Sequence, residues 1–535
     1  MLEVSVSKSL LRFLNHHVLA ISDNEIMKLT FVPIRKMLDV SHAFREHGRL
    51  IYIILGVVVL AVAPCGYHMV ALNVPTKNIQ KALKAEILRD YGLTISDSAM
   101  DLLWGLIVSC QSIGALIGCL LLMPLESAFG IKNTLMLYSN GVLLCGSIFL
   151  FLSYNFNTAL MLVLGRILVG IYTGLSSALA PMYVAELAPS KIKGSLGCFV
   201  HISVCFGAVL GAFFSLESFL GSEAFWNVLL FLPAIFAVIQ MVICRQIPHT
   251  PNFFLAKDDT EMAAESIRFF YGFEGLSDQE LMAKYRSLVT KLPPQLSFRQ
   301  SIANPTNRKM IFIGMVVSAT QILSGSMATV AYSTSMFNSL SIINGLVPLF
   351  PTFGALLSIF LTLPALRLVE TYGRKRLLIN TLIMCATATY LLCFFSLIVK
   401  GFNAGSWASF MFFVGFLLLG VGYNLGTGPV SYFIPAELVS PDSVGSALSV
   451  AVATNWTFTL LTTFLYYPLN EAVGGWSYLM FAIPTTLCII FLNRNLPETK
   501  FPSLIQSDGV ILACNVLPEY ANLEESTDSF NYGTI

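Results

Sequence analysis

Charged residues are scarce in this chain of 535 residues. Asp, Glu, Lys and Arg make up 11% of it, whereas hydrophobic residues make up 56%. A soluble domain carries about 25% charged residues, because they cover its surface. The shortage of charge therefore excludes an ordinary soluble protein and predicts a chain that crosses a lipid bilayer many times.

The sequence also lacks the signatures of several other protein classes. Its 31 basic and 30 acidic residues nearly cancel, so no nucleic acid is expected as a partner. Its eleven cysteines contain no close CxxC pair, so neither a zinc site nor a disulfide framework is expected. No catalytic triad or Walker motif is present. We therefore expect neither an enzyme nor a cofactor nor a bound metal.

Long apolar runs dominate what is present. A helix that crosses the hydrocarbon core needs about 20 mostly apolar residues, and only helices or closed barrels satisfy their backbone in lipid. Runs this long indicate helices. Twelve stretches qualify, namely 51–72, 102–125, 134–152, 160–183, 195–214, 225–244, 310–336, 346–366, 377–399, 407–435, 444–469 and 476–492.

The distribution of Lys and Arg orients these twelve spans. With the N-terminus in the cytosol, the cytosolic segments hold 25 of the basic residues and the outside loops hold 5. Positive charge concentrates on the cytosolic side, so both termini are predicted to be cytosolic. In the longest internal cytosolic segment, Asp258 precedes Glu261 by three residues and Ser277 precedes Glu280 by three. Both spacings are typical of capped helix starts, which predicts short helices there.

An internal repeat relates the two halves of the chain. Three motifs recur after corresponding spans, and the pairs are FGIK at 129–132 with YGRK at 372–375, AELAP at 185–189 with AELVSP at 436–441, and IPHT at 247–250 with LPET at 496–499. A period of six spans gives both halves the same orientation. This arrangement is typical of six-plus-six transporters, whose site lies between the halves.

The spans and the repeat divide the chain into five parts. We predict a cytosolic N-terminal segment (1–50), an N-terminal six-helix bundle (51–244), a cytosolic loop with short helices (245–309), a C-terminal six-helix bundle (310–494) and a cytosolic tail (495–535). The tail is polar and ends in a YxxΦ pattern at Tyr532–Ile535, which makes a sorting adaptor a candidate partner besides the lipid bilayer.

The fourth span and the segment after it, GRILVGIYTGLSSALAPMYVAELAPSKIKG at 165–194, closely resemble the sugar porter family of the major facilitator superfamily. Further matches include GYHMVALNVP at 66–75, GTGPVSYFIPAEL at 426–438 and PETK at 497–500. The chain looks most like a divergent member of the animal facilitative glucose transporters. The resemblance implies an all-α membrane protein, with twelve transmembrane helices in two pseudo-symmetric six-helix bundles.

The resemblance also implies a set of solute-binding residues. Amides and aromatic side chains recognise sugar hydroxyls, because each hydroxyl both donates and accepts. Seven residues stand at such positions, and they are Gln321, Asn455, Trp456, His201, Tyr432, Ser358 and Asn424. The last four depart from the family pattern. Amides usual in the family are also replaced at Ile322, Met327 and Ala212, which favours a solute that is smaller than glucose, less polar or differently substituted.

A second set resembles the family's gate, where charged groups at the cytosolic helix ends lock the two halves together. Its members here are Glu186, Lys193, Glu370, Arg374, Lys375 and Glu437. Several partner positions have lost their charge, at Ala128, Ile131, Val444, His249 and Asn252. The alternative for each surviving charge is simple anchoring of a helix end at the membrane surface.

Two further ionisable residues, His68 and Arg166, lie inside predicted spans, where charges are costly and usually functional. No acidic residue lies deep in any span, which argues against carboxylate-based proton coupling. His68 stands where family proton symporters carry Asp and uniporters carry Asn. Because a positive charge at Arg166 disfavours a second one nearby, we interpret His68 as a neutral hydrogen-bonding group. A proton carrier is the alternative.

These features favour a facilitative uniporter of a hexose or related small polar solute, working by alternating access. Two alternatives stay open, a proton-coupled sugar symporter that uses His68 and a transport-dead sensor or scaffold with the same fold. The expected location is the cell membrane as a multi-pass protein, with an endosomal or lysosomal membrane as the alternative.

Overall fold

The computed structural model describes residues 47–156, 158–273, 275–288, 296–326, 350–401 and 406–500, together with 506–507 and 510–511. Residues 1–46 lie outside the described residues. Most of the predicted tail, including the candidate sorting signal at Tyr532–Ile535, lies outside them as well.

The N-terminal half is built from eight helices. They are α1 (Gly48–Val70), α2 (Thr76–Tyr91), α3 (Asp97–Asn133), α4 (Ser139–Leu152), α5 (Thr158–Leu187), α6 (Lys193–Phe214), α7 (Trp226–Phe231) and α8 (Ala234–Cys244). A π-helical turn at Thr134–Tyr138 joins α3 to α4. The helix α2 follows the first span and is rich in polar residues.

Four short helices follow in the predicted cytosolic loop. They are α9 (Pro251–Leu255), α10 (Thr260–Tyr271), α11 (Asp278–Leu288) and α12 (Phe298–Ala303).

The observed helix cap matches the predicted one at α11 and differs from it at α10. Before α11, the Ser277 hydroxyl accepts from the Glu280 amide at 3.4 Å and the Glu280 carboxylate accepts from the Ser277 amide at 3.1 Å. Before α10, the cap is Asp259, which accepts from the Met262 amide at 3.1 Å. The predicted cap at Asp258 is wrong, because that residue has a positive φ of 59° and ends the preceding turn instead.

The C-terminal half repeats the plan with α13 (Pro305–Leu323), α14 (Phe350–Thr362), α15 (Ala365–Thr371), α16 (Arg374–Gly401), α17 (Ser406–Gly422), α18 (Gly428–Leu438), α19 (Val444–Val473) and α20 (Leu479–Asn495). A π-helical turn at Tyr423–Thr427 joins α17 to α18, and 3₁₀ turns at Pro441–Ser443 and Gly474–Tyr478 flank α19. Two short strands, β1 (Gln506–Ser507) and β2 (Val510–Ile511), pair antiparallel after α20.

Ten helical segments of the described chain are long and apolar enough to cross a membrane. The longest, Asp97–Leu152, has 56 residues and holds predicted spans 2 and 3. Predicted span 7 begins in α13, and its remainder lies outside the described residues. The predicted all-α membrane fold with twelve spans is confirmed.

The repeated FGIK and YGRK motifs form equivalent turns in the two halves. Gly130 and Gly373 have positive φ angles of 74° and 91°, a backbone region that glycine enters without strain. A Cβ at Gly130 would lie 2.6 Å from the Phe253 ring, and one at Gly373 would lie 2.5 Å from the Glu498 carboxylate. Each turn is therefore covered by the segment that follows the sixth span of its own half.

The two halves meet through a few helix pairs. The helix α3 packs against α19, and α6 packs against α14, α15 and α18. These pairs bring the polar residues of both halves to one interface, where the candidate site lies.

Candidate solute site and gate

A cavity lies between the two halves. Met69, Ser177 and Val204 line it from the N-terminal half, and Gln321, Ile322, Tyr423, Tyr432, Asn455 and Trp456 are among the residues that line it from the C-terminal half. The volume of this cavity is about 50 Å³. This space holds roughly three to five waters, so the halves enclose the site closely in this structure.

Gln321 and Asn455 hold each other in place at the cavity wall. The Asn455 amide nitrogen donates to Gln321 Oε1 at 2.6 Å and to the Ser318 carbonyl at 3.2 Å. Gln321 Nε2 donates to the Gly428 carbonyl at 3.0 Å. These bonds fix which atom of each amide faces the cavity. Within the described part of the chain, no protein donor reaches Asn455 Oδ1, so that oxygen is an acceptor available to a solute hydroxyl.

Four of the seven predicted binding residues line this cavity, and these are Gln321, Asn455, Trp456 and Tyr432. Met69, Ser177 and Tyr423 are among the lining residues that were not predicted from the sequence. Each had a signal nearby, because Met69 and Ser177 lie inside family motifs and Tyr423 precedes Asn424. Helix packing turns them toward the cavity.

The other three predicted residues form a separate polar chain. His201 Nε2 lies 3.1 Å from Asn424 Oδ1, and Asn424 Nδ2 donates to the Ser358 hydroxyl at 3.1 Å. His201 belongs to α6 in the N-terminal half, whereas Asn424 and Ser358 belong to the C-terminal half. None of the three lines the cavity. This chain therefore joins the halves directly, beside the cavity.

An ionic cluster in the C-terminal half surrounds Arg374, which is 4% exposed. Its guanidinium lies 3.2 Å from the Glu437 carboxylate and 3.1 Å from the Glu370 carboxylate. Lys500 makes a further ion pair with Glu370. Glu370 also accepts from the backbone amide of Ser195 at 3.1 Å, which is a contact with the N-terminal half. Buried charges need this degree of pairing, and the cluster ties α6 to the opposite half.

The segment after α20 completes the ionic cluster. Thr499 donates to Glu437 at 2.6 Å, and the Glu498 carboxylate accepts from the backbone amides of Arg374 at 2.8 Å and Lys375 at 3.1 Å. Lys375 thus takes part through its backbone, and no ion pair of its side chain is seen among the described residues. Glu498 and Thr499 were not among the predicted gate residues, although both belong to the repeated LPET motif.

The N-terminal half has the equivalent carboxylate without the cation. Glu186 accepts from Thr250, as Glu437 does from Thr499. Ile131 stands where Arg374 stands in the repeat. In the described chain no ion pair links Glu186 to Lys193. Lys193 instead shares the lining of a second cavity of about 10 Å³ with Glu437, a space the size of roughly one water.

His249 takes the place of Glu498 in the N-terminal repeat. Its ring stacks on Phe253 with 4.1 Å between the ring centroids. Burial, together with the charges of Lys132 and Lys257, lowers the pKa of His249 to about 4. The ring therefore packs as a neutral group against the turn at Gly130.

Arg166 and His68 are both buried inside the N-terminal half. The Arg166 guanidinium donates to the backbone carbonyls of His68 and Val108, at 3.2 Å each. Neither ring nitrogen of His68 has a hydrogen-bond partner among the described residues. Arg166 is thus held by backbone dipoles rather than by a carboxylate.

Two similar helical halves that enclose a polar cavity between them define a membrane transporter of the major facilitator type. A model of the family described as sugar (and other) transporter matches residues 55–510. The chain belongs to this family.

Individual relatives agree with the family. The chain is 30% identical over 454 residues to the facilitated glucose transporter member 4 of solute carrier family 2 from Bos taurus, across 83% of this chain and 87% of the relative. Identity to the Homo sapiens member 4 is 31% over 444 residues, across 81% and 85%. Identity to member 1 from Gallus gallus is 28% over 451 residues, across 83% and 90%.

Solved structures show the same fold. The proton:xylose symporter XylE bound to 6-bromo-6-deoxy-D-glucose superposes with a TM-score of 0.68 at 21% identity, over 85% of this chain and 97% of that one. The inward open form of XylE from E. coli superposes with a TM-score of 0.64 at 21% identity, over 85% and 98%.

Proposed function

We propose that this transporter is a facilitative uniporter that carries a hexose or a related small neutral solute by alternating access. One observation carries the proposal, the chemistry of the cavity wall. Amide and hydroxyl groups alternate there with apolar side chains, and no described lining residue is charged. An ionic solute would lose its hydration without gaining a partner, whereas a neutral polyhydroxylated solute meets donors and acceptors.

The same wall favours transport down the gradient of the solute alone. None of the described lining residues is Asp or Glu, so the cavity offers no carboxylate to carry a proton with the solute. The names of the relatives, facilitated glucose transporters, support the same mechanism.

Proton-coupled symport is the second candidate, and His68 is the residue that favours it. The ring is buried and both of its nitrogens lack a partner in the described chain, so it has room to bind a proton. Against this, the adjacent positive charge of Arg166 opposes a second cation. We therefore propose that His68 is neutral in the uniporter.

The membrane location follows from the family, and its details are part of the proposal. The excess of Lys and Arg on one side supports cytosolic termini, with the Arg374 cluster at the cytosolic end of the halves. We propose the cell membrane as the location. An endosomal membrane is the alternative, since a sorting adaptor that binds Tyr532–Ile535 would retrieve the protein from the surface.

The test is uptake by the full-length chain in proteoliposomes. D-glucose, D-fructose, D-xylose and myo-inositol are supplied as radiolabelled solutes, with and without a protonophore. We expect saturable uptake of at least one solute up to equilibrium, unchanged by the protonophore, and lost in a Gln321→Ala/Asn455→Ala double variant.

Other outcomes separate the alternatives. Accumulation above the external concentration that the protonophore abolishes, and that His68→Asn removes, would establish symport. A folded protein that shows neither uptake nor counterflow of any solute would be a transport-dead sensor or scaffold.

A further inference from the structure

The ring of His201 projects from the N-terminal half into the C-terminal half. Four residues of α18 and of the π-helical turn before it surround the ring, and they are Tyr423, Asn424, Gly428 and Tyr432. The ring centroid of His201 lies 5.4 Å from that of Tyr423 and 6.1 Å from that of Tyr432. His201 is 3% exposed. We call these four residues the socket.

The fit at the floor of the socket depends on a glycine. A Cβ at Gly428 would lie 2.8 Å from His201 Cε1 and 2.9 Å from Nε2. Real Cβ contacts are not that short, so any larger residue would displace the ring or the helix. The ring is seated as deeply as the backbone of α18 permits.

Hydrogen bonding fixes the ring in one orientation and one tautomer. Asn424 Nδ2 donates to the Ser358 hydroxyl and to the Gly420 carbonyl, so its Oδ1 faces the ring as an acceptor. His201 Nε2 must then carry the proton that it shares over 3.1 Å. The other ring nitrogen, Nδ1, has no partner among the described residues. The seated ring is therefore neutral, because a buried cation there would have no counter-charge.

These contacts have a consequence for the transport cycle. Alternating access requires one half to rock against the other around the site. A side chain of one half that is embedded in the other half must leave its seat when the halves rock. While the ring is seated, Asn424 is bonded to it and to Ser358, and a solute in the cavity meets only the Gln321–Asn455 side.

We propose that His201 is a plug that the N-terminal half inserts into the socket, and that the plug must leave the socket before the halves can rock. The inference rests on the alternating-access mechanism proposed above. His201 is a positioning residue in this scheme.

Cys205 serves as a built-in reporter of the plug. Its sulfur lies 3.6 Å from His201 Nε2, one helical turn along α6, and the residue is 7% exposed. The full-length chain in lipid nanodiscs is treated with N-ethylmaleimide. Mass spectrometry then gives the alkylation rate of the peptide that contains Cys205, relative to the peptide with the exposed Cys145.

Gly428→Ala should unseat the plug and raise the alkylation rate of Cys205 at least about fivefold, because overpacking of this kind favours any state that relieves it. The matched control is Gly420→Ala in α17, where a Cβ meets nothing within 4 Å. That control should label as the wild type does.

Variants of His201 complete the test. His201→Ala should raise the rate as well, and Gly428→Ala should add nothing in that background. His201→Gln, which retains a side-chain donor for Asn424, should return the rate toward wild type. An equal rate in Gly428→Ala and Gly420→Ala, or a Gly428→Ala effect that persists without His201, would overturn the plug. Alkylation needs no solute, so this test is independent of transport. If the alkylation rates are as expected but the chain transports no sugar, the uniporter proposal fails and the plug proposal stands.

Discussion

Thr499 donates a hydrogen bond of 2.6 Å to Glu437, just after the last transmembrane helix. The repeat reproduces this contact in the other half, where Thr250 donates to Glu186. The halves differ in what else reaches the carboxylate. Arg374 pairs with Glu437 at 3.2 Å, whereas the corresponding position in the N-terminal half is Ile131. The same scaffold thus carries an ion pair in the C-terminal half and only a hydrogen bond to the carboxylate in the N-terminal half.

The first prediction tests this difference. Glu437→Gln leaves the buried guanidinium of Arg374 with one carboxylate fewer, and breaking a buried pair costs about 3–5 kcal/mol. Glu186→Gln weakens only a hydrogen bond, worth about 0.5–1.5 kcal/mol. We expect Glu437→Gln to open the predicted cytosolic end far more than its counterpart does.

The measurement for this prediction is the alkylation rate of a cysteine introduced at Ala436, which lines the small cavity beside Lys193. Equal rates in the two variants would show that the ionic cluster only anchors helix ends.

The second prediction restores the missing cation. Ile131→Arg places a guanidinium at the repeat position of Arg374, whose partner Glu437 corresponds to Glu186. The new pair should hold the predicted cytosolic end closed and slow the alkylation at position 436 by up to roughly fivefold, the range of a partly exposed ion pair. The effect should vanish when Glu186→Gln is combined with it. An unchanged effect in the double variant would assign it to steric crowding.

The third prediction concerns the cavity wall. Gln321→Ala removes the acceptor of the Asn455 amide and one donor of the pocket. A lost hydrogen bond to an uncharged partner costs about 0.5–1.5 kcal/mol, so the half-saturation concentration should rise roughly 2- to 13-fold. Initial uptake rates over a range of solute concentrations measure this change. Thr486→Ala, which lies away from the cavity, is the control.

The fourth prediction concerns selectivity at Ile322, a buried lining residue where the family carries an amide. Ile322→Gln adds a donor and an acceptor to the wall. In a competition assay, D-glucose should gain inhibitory strength relative to 2-deoxy-D-glucose, which lacks one hydroxyl. A variant in which both sugars shift equally would mean that position 322 does not face the solute. The companion position, Met327, lies outside the described residues.

The fifth prediction uses the lowered pKa of His249. The unfolded ring titrates near 6.5 and the packed ring near 4. Between these values the undocked form binds more protons, so docking of the segment is fully stable above about pH 6.5 and weakens as the pH falls toward 4. Hydrogen exchange of residues 247–256, corrected for the intrinsic rate, should be faster at pH 5 than at pH 7. His249→Phe should abolish the difference.

The sequence alone determined the architecture of this transporter. Twelve apolar runs and three repeated motifs specify the helices and the two halves, because the hydrocarbon core imposes length and polarity on every segment locally. The Ser277 cap and the glycines at 130 and 373 are equally local. The family motifs also led to Gln321, Asn455, Tyr432 and Trp456, which all reach the cavity.

Only the tertiary structure decided what the remaining polar residues do. His201, Asn424 and Ser358 belong to three helices, and they bond to one another rather than line the cavity. Glu186 meets Thr250 instead of Lys193. Their partners depend on the rotation of each helix about its axis and on how the halves cross. Those angles are set by packing between residues more than 50 positions apart, which no local pattern records.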